Sequence, residues 1–154
     1  MLEKAWDSVG GFRKERNKLA KGKLSEDEAD ELAEAVNEMA AALREELLGL
    51  KKEDLLQFDR ILERKLYDID RAEVQEHTDG SDDGFLYARG FIVAAGKEYY
   101  DTVNARPQAA MMDLECEDMC YLPFHVYKER FGETPQSNIS RESCSNKAGW
   151  PDLG

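Results

Sequence analysis

The 154 residues amount to one domain, long enough to hold a core without disulfides or a structural metal. The 33 acids against 21 Lys and Arg leave a net charge of −12, which excludes a generic phosphate-backbone binder and disfavours docking on anionic lipid, because both need a basic face. The longest purely apolar runs, Phe91–Ala95 among them, are far too short to span a bilayer, and the charged opening Met1–Asp7 has no apolar signal-peptide core. Three scattered cysteines fit a reducing cytoplasm better than a disulfide framework.

In chain order, residues 1–23 carry seven bases and three acids. Leu2, Ala5, Trp6 and Val9 share one face of a first helix running to Lys21, which Gly10 and Gly11 weaken. Residues 24–50 reverse the charge, with nine acids and one base. Ser25 and Glu28 form a capping box there, ahead of Leu32, Val36, Met39, Leu43, Leu47 and Leu50 at helical spacing. A basic helix followed by an acidic one predicts an antiparallel pair with complementary flanks. Glu34, Glu38, Glu45 and Glu46 read as its solvated face.

Leu55, Phe58, Leu62, Leu66 and Ile69 mark a third helix over 53–70, and a polar stretch follows to Asp79. A fourth helix starts after Ser81 and puts Phe85, Ala88, Ile92, Ala95, Tyr99 and Val103 on one stripe. Pro107 begins or precedes another, and Met111 to Phe131 supply further apolar surface, with Pro123 forcing a kink or break. Gly132 to Pro135 ends the helical part. The fold class predicted is all-α: a single compact domain of five to seven helices over 1–134, with an irregular, polar, loosely held tail over 135–154. Trp150 is the one tail residue expected to dock.

The densest local chemistry lies at His77–Phe91, where Asp79, Asp82 and Asp83 stand within five residues. One reading is helix-start chemistry, in which Asp79 or Ser81 caps the helix and Asp82 and Asp83 face its positive dipole end. The other is a hard-cation site. Asp79, Ser81, Asp83 and Gly84 occupy positions 1, 3, 5 and 6 of an EF-hand-like loop, but position 12 is Gly90 in place of the bidentate glutamate. A true EF-hand is thereby excluded. What is left is a looser Mg²⁺ or Ca²⁺ site on Asp79, Asp82 and Asp83, which Asp68 and Asp70 could join. Asp68, Ser81, Asp82, Asp83 and Arg89 are together the candidate polar binding set.

Phe58-Asp59-Arg60-Ile61, Tyr67-Asp68-Ile69, Ser81-Asp82-Asp83-Gly84-Phe85, Arg89-Gly90-Phe91-Ile92 and Gly96-Lys97 resemble the small bacterial domains catalogued as domain of unknown function 4240. The likeness extends from about Ala5 to Thr134. Where that family is rich in Trp, Ala and Gly and ends in Gly-Gly-Cys, this chain has Asp70-Arg71-Ala72-Glu73 and Thr78-Asp79-Gly80. The resemblance implies a helical domain and supplies no reaction.

Other constellations are poorer. Cys116, Cys120 and His125 offer three zinc-type ligands where a structural site needs four, and Pro123 interrupts them. Cys144, in the polar tail, is expected to be exposed and oxidisable, and His125, flanked by Phe124 and Val126, to be partly buried. Gly80–Gly84 lacks the Gly-Lys-Ser/Thr ending of a phosphate loop, and the tyrosines have the wrong charge around them for stacking bases. The function expected is therefore a non-catalytic interaction or regulatory module of the immunity or adaptor type. It needs no cofactor and binds a basic protein partner rather than double-stranded nucleic acid or membrane. The alternative is a small enzyme or ligand-binding domain using the carboxylate/arginine set, with a divalent cation.

Overall fold

Eight α-helices and two short 3-10 turns form the described part of the chain, residues 1–78 and 81–151 of a computed structural model. They are α1 (Leu2–Ser8), α2 (Arg13–Ala20), α3 (Glu26–Leu48), α4 (Lys52–Asp68), α5 (Ala72–Gln75), α6 (Asp82–Ala94), α7 (Lys97–Ala105) and α8 (Glu117–Phe131). The 3-10 turns are η1 (Pro107–Ala109) and η2 (Lys147–Gly149). No strand occurs among the described residues, and none of their helices is long and apolar enough to cross a membrane.

Eight helices stand where five to seven were expected, because two predicted helices are broken and the short α5 forms in the polar stretch after the third. Gly10, Gly11 and Phe12 all have positive φ (108°, 75° and 48°) and separate α1 from α2. Gly96, at φ 112°, turns α7 away from α6 in the middle of the apolar stripe from Phe85 to Val103. Pro107 opens a 3-10 turn in place of a helix.

The capping box is present at the start of α3. The Glu28 amide donates to Ser25 Oγ at 3.2 Å, and the Ser25 amide donates to Glu28 Oε1 at 3.1 Å. Both α1 and α2 pack on α3. Few of their bases meet its acids, however. Arg13 and Arg16 pair with Asp7 and Glu3 of α1, and only Lys18 reaches across to α3, at 2.7 Å from Glu28.

The core lies between α8 and the surrounding α3, α4 and α6. Gly90 marks the closest approach of α6 and α8. A Cβ there would stand 2.5 Å from the Cys116 carbonyl oxygen and 2.6 Å from Cys120 Sγ. Helix ends buried in this packing borrow donors from distant side chains, as their unpaired carbonyls require. Trp6 Nε1 donates to the Ala94 carbonyl at 2.7 Å, and Arg130 donates to those of Leu47 and Leu50.

Gly90→Ala is expected to cost about 3 kcal/mol, because backbone on the far side cannot yield as a side chain can. A denaturation series should show the melting temperature lowered by roughly 6–12 °C; an unchanged midpoint would contradict the contact. At the α3 cap, the bond from Lys18 and those from Ser25 hold the Glu28 carboxyl down from 4.5 to about 2. A depressed carboxylate pKa stabilises the fold above the unfolded value and loses that effect as pH falls toward the folded one. Melts from neutral to acid pH should therefore show wild type above Glu28→Gln at pH 6, with the gap closing between 4.5 and about 2.

Candidate functional site

Asp59 and Glu63 fall on the apolar face of α4, in register with Leu55, Leu62 and Leu66, and both are buried. Two carboxylates in a core need a cation with several donors. The tail supplies it. Arg141, 2% exposed, places Nη2 3.0 Å from Asp59 Oδ1 and 2.6 Å from Glu63 Oε2, while Nη1 donates to the Cys120 carbonyl at 2.8 Å. That carbonyl lies at the break in α8, where Tyr121 (φ −128°) leaves helical geometry two residues before Pro123. The expected kink is thus present, and an arginine fills it. Burial raises the Asp59 carboxyl above its ordinary value, and Arg141 opposes the rise.

Asp70, fully buried just past α4, is the second anchor. Its carboxylate accepts from the amides of Cys144, Ser145 and Asn146 at 2.8–2.9 Å and from Trp150 Nε1 at 2.9 Å. Trp150 docks as expected, edge-on to Phe85. It does not dock alone, since Arg141 is buried more deeply.

The candidate binding set does not come together. Arg89 is wholly buried and turned inward. Nη1 donates to the carbonyls of Leu66 at 2.8 Å and Arg141 at 2.9 Å, Nη2 donates to Ser143 Oγ at 3.1 Å, and the guanidinium lies over the Phe85 ring. Burial pulls its pKa down, with the Asp70 charge opposing. Neither Asp82 nor Asp83 pairs with it. Ser81 caps α6, accepting from the Gly84 amide at 3.1 Å, and Asp82 and Asp83 stand exposed in the first turn. Asp68 pairs with Arg64 at 3.5 Å. Asp79 lies outside the described residues, among which no three His, Cys, Asp or Glu side chains gather in metal-holding geometry.

Two smaller expectations are also corrected. His125, expected to be partly buried, is exposed, while burial pushes Cys116 to about 11 and Cys120 to about 12. Cys144 is half-buried, because Asp70 holds its amide.

Asp83 does belong to a groove of about 490 Å³ between α3, α6, α8 and the tail. Its acids are Asp83, Glu117, Asp118 and Glu142, all exposed, and none of them forms an ion pair among the described residues. Its walls carry Tyr87, Tyr121 and His125, with Tyr121 donating to Glu142 at 2.9 Å. Burial and that carboxylate hold the Tyr121 phenol up at about 12, and Tyr87 is raised by burial and by Glu117 and Asp83. Arg44, the one Lys or Arg among the described residues of its lining, is engaged with Glu129 at 2.5 Å. An aromatic-walled acidic groove attracts cations.

Replacing Asp70 by Asn removes the charge that four N–H donors share. We expect a loss of about 2–4 kcal/mol and a red shift in the Trp150 component of the fluorescence. Trp6, buried elsewhere, serves as the constant background. Unchanged emission would show that the tail stays docked without that carboxylate.

Neither a search of curated proteins nor one of solved structures finds a match. The profile of the family described as protein of unknown function DUF4240 matches residues 23–129, over two thirds of the chain. The match takes in the capping box, α3 to α7 with Asp59, Glu63, Asp70 and Arg89, and most of α8; it leaves out α1, α2 and the tail. The chain belongs to the DUF4240 family.

Proposed function

We propose that this protein is a non-catalytic binding module, of an adaptor or immunity type, whose acidic groove takes a basic segment of another protein. The observation that carries the reading is the set of four carboxylates, Asp83, Glu117, Asp118 and Glu142, that form no ion pair among the described residues and stand around Tyr87, Tyr121 and His125. Lysine or arginine side chains entering the groove gain charge pairing at the rim and ring faces at the walls. The long-range field of a −12 chain speeds their arrival. The reading needs no cofactor and takes the protein to work in a reducing cytoplasm, which its three scattered cysteines suit.

The exposed acids of α3, Glu34 and Glu38 among them, are a rival surface of the same sign. Two double variants of equal charge separate the two. Binding of a fluorescent arginine-rich peptide is followed by anisotropy at low and physiological salt. Glu117→Gln/Asp118→Asn is expected to weaken it about tenfold and Glu34→Gln/Glu38→Gln about twofold or less. Affinity should fall steeply with salt for the wild type. Equal effects of the two pairs, or no binding at low salt, would reject the groove.

A further inference from the structure

We propose that a second site, the apolar pocket lined by α1, α4, α6, α7 and α8, binds a small amphipathic carboxylate, its hydrocarbon body inside and its anionic head on Lys65. The site is separate from the acidic groove and does not depend on its function. Leu62, Val93 and Met119 form a buried floor, and Phe58, Ile61 and Tyr100 form the walls. The volume is about 250 Å³. A dry cavity of about 150 Å³ with a similar lining takes benzene, so this one has room for a ring and a short chain. Ile61 is 48% exposed at the mouth, one of few large apolar side chains left in water.

Charge sets the class of ligand. In a chain of net charge −12, this pocket is lined by two lysines and no acid. Lys97 is held by Asp101. No carboxylate among the described residues pairs with Lys65, whose ammonium lies 4.4 Å from the centre of the Tyr100 ring. The Tyr100 hydroxyl donates to the Lys65 carbonyl at 2.7 Å, fixing ring and lysine together at the rim. An ammonium beside an apolar cavity pairs with a carboxylate whose tail the cavity desolvates. A cationic or neutral ligand of the same shape lacks that pairing.

The probes are 3-phenylpropanoate and its neutral counterpart 3-phenylpropanamide, titrated calorimetrically against the whole chain. The carboxylate is expected to bind one to one, and the amide about tenfold more weakly. Lys65→Gln should bring the two to equal affinity. Ile61→Glu, a change at an exposed position that leaves the core intact, should abolish carboxylate binding while the circular dichroism stays unchanged. Equal binding of acid and amide by the wild type overturns the proposal, as does carboxylate binding that survives Ile61→Glu. If no carboxylate heat appears at about 10 mM but sedimentation shows self-association that Ile61→Glu removes, the pocket is a contact between copies and the proposal fails.

Discussion

Two guanidinium groups, those of Arg89 and Arg141, lie in the interior, and α4, α6, α8 and the tail pack around their Nη atoms, while Arg89 Nε has no acceptor among the described residues. A buried cation is tolerated only when acceptors replace its water. Arg141 receives two carboxylates from α4 and one carbonyl from the kink in α8. Arg89 receives the Leu66 carbonyl at the end of α4, the carbonyl of Arg141 itself and the Ser143 hydroxyl. The two arginines therefore act through one another: the bond to the Arg141 carbonyl fixes the backbone that aims Arg141 at Asp59 and Glu63. Arg89 belongs to α6, so α4, α6, α8 and the tail meet at this one cluster. Removing any acceptor leaves a charge in a place water cannot reach.

Most of the helical architecture is legible in the sequence, because spacing and capping act locally. The α3 capping box and the apolar positions of α4 stand where periodicity puts them. The breaks are harder to read. A glycine inside an apolar stripe costs only about 1 kcal/mol in a helix, so sequence pattern cannot separate Gly90, which stays helical, from Gly96, which turns the chain. What differs is the neighbour. Gly90 must admit the backbone of Cys116, whereas Gly96 adopts a φ of 112° that other residues rarely take.

The buried cluster is only half legible. Asp59 and Glu63 recur at four-residue spacing on the face that carries Leu55, Leu62 and Leu66, a visible conflict between charge and periodicity. Such a conflict signals a partner without naming it. The partner, Arg141, stands 78 residues from Glu63 along the chain, in a segment rich in serine and asparagine with no net charge, where nothing local marks it as interior. The aspartates around the start of α6 stand out in the sequence by density instead, yet Asp82 and Asp83 are exposed in its first turn. Asp70, a single acid amid several, does more for the fold because three consecutive amides and an indole N–H converge on it.

The two candidate sites are kept apart by α8. Met119 lies on the floor of the lysine-rimmed pocket, and the next residue, Cys120, lines the acidic groove. One helix thus presents surfaces of opposite preference on adjacent residues. The kink just after them, at Tyr121, is pinned by Arg141 from the tail. Glu142, the next residue of that tail, reaches the groove and accepts from Tyr121. The buried cation that stabilises the core therefore also positions one of the acids of the groove, so the geometry of the groove depends on the docking of the tail. Arg141 meets the helices of the pocket on the far side at Asp59 and Glu63 of α4, Arg89 of α6 and Cys120 of α8, none of which lines it. Loosening the tail should disturb the groove before it disturbs the pocket.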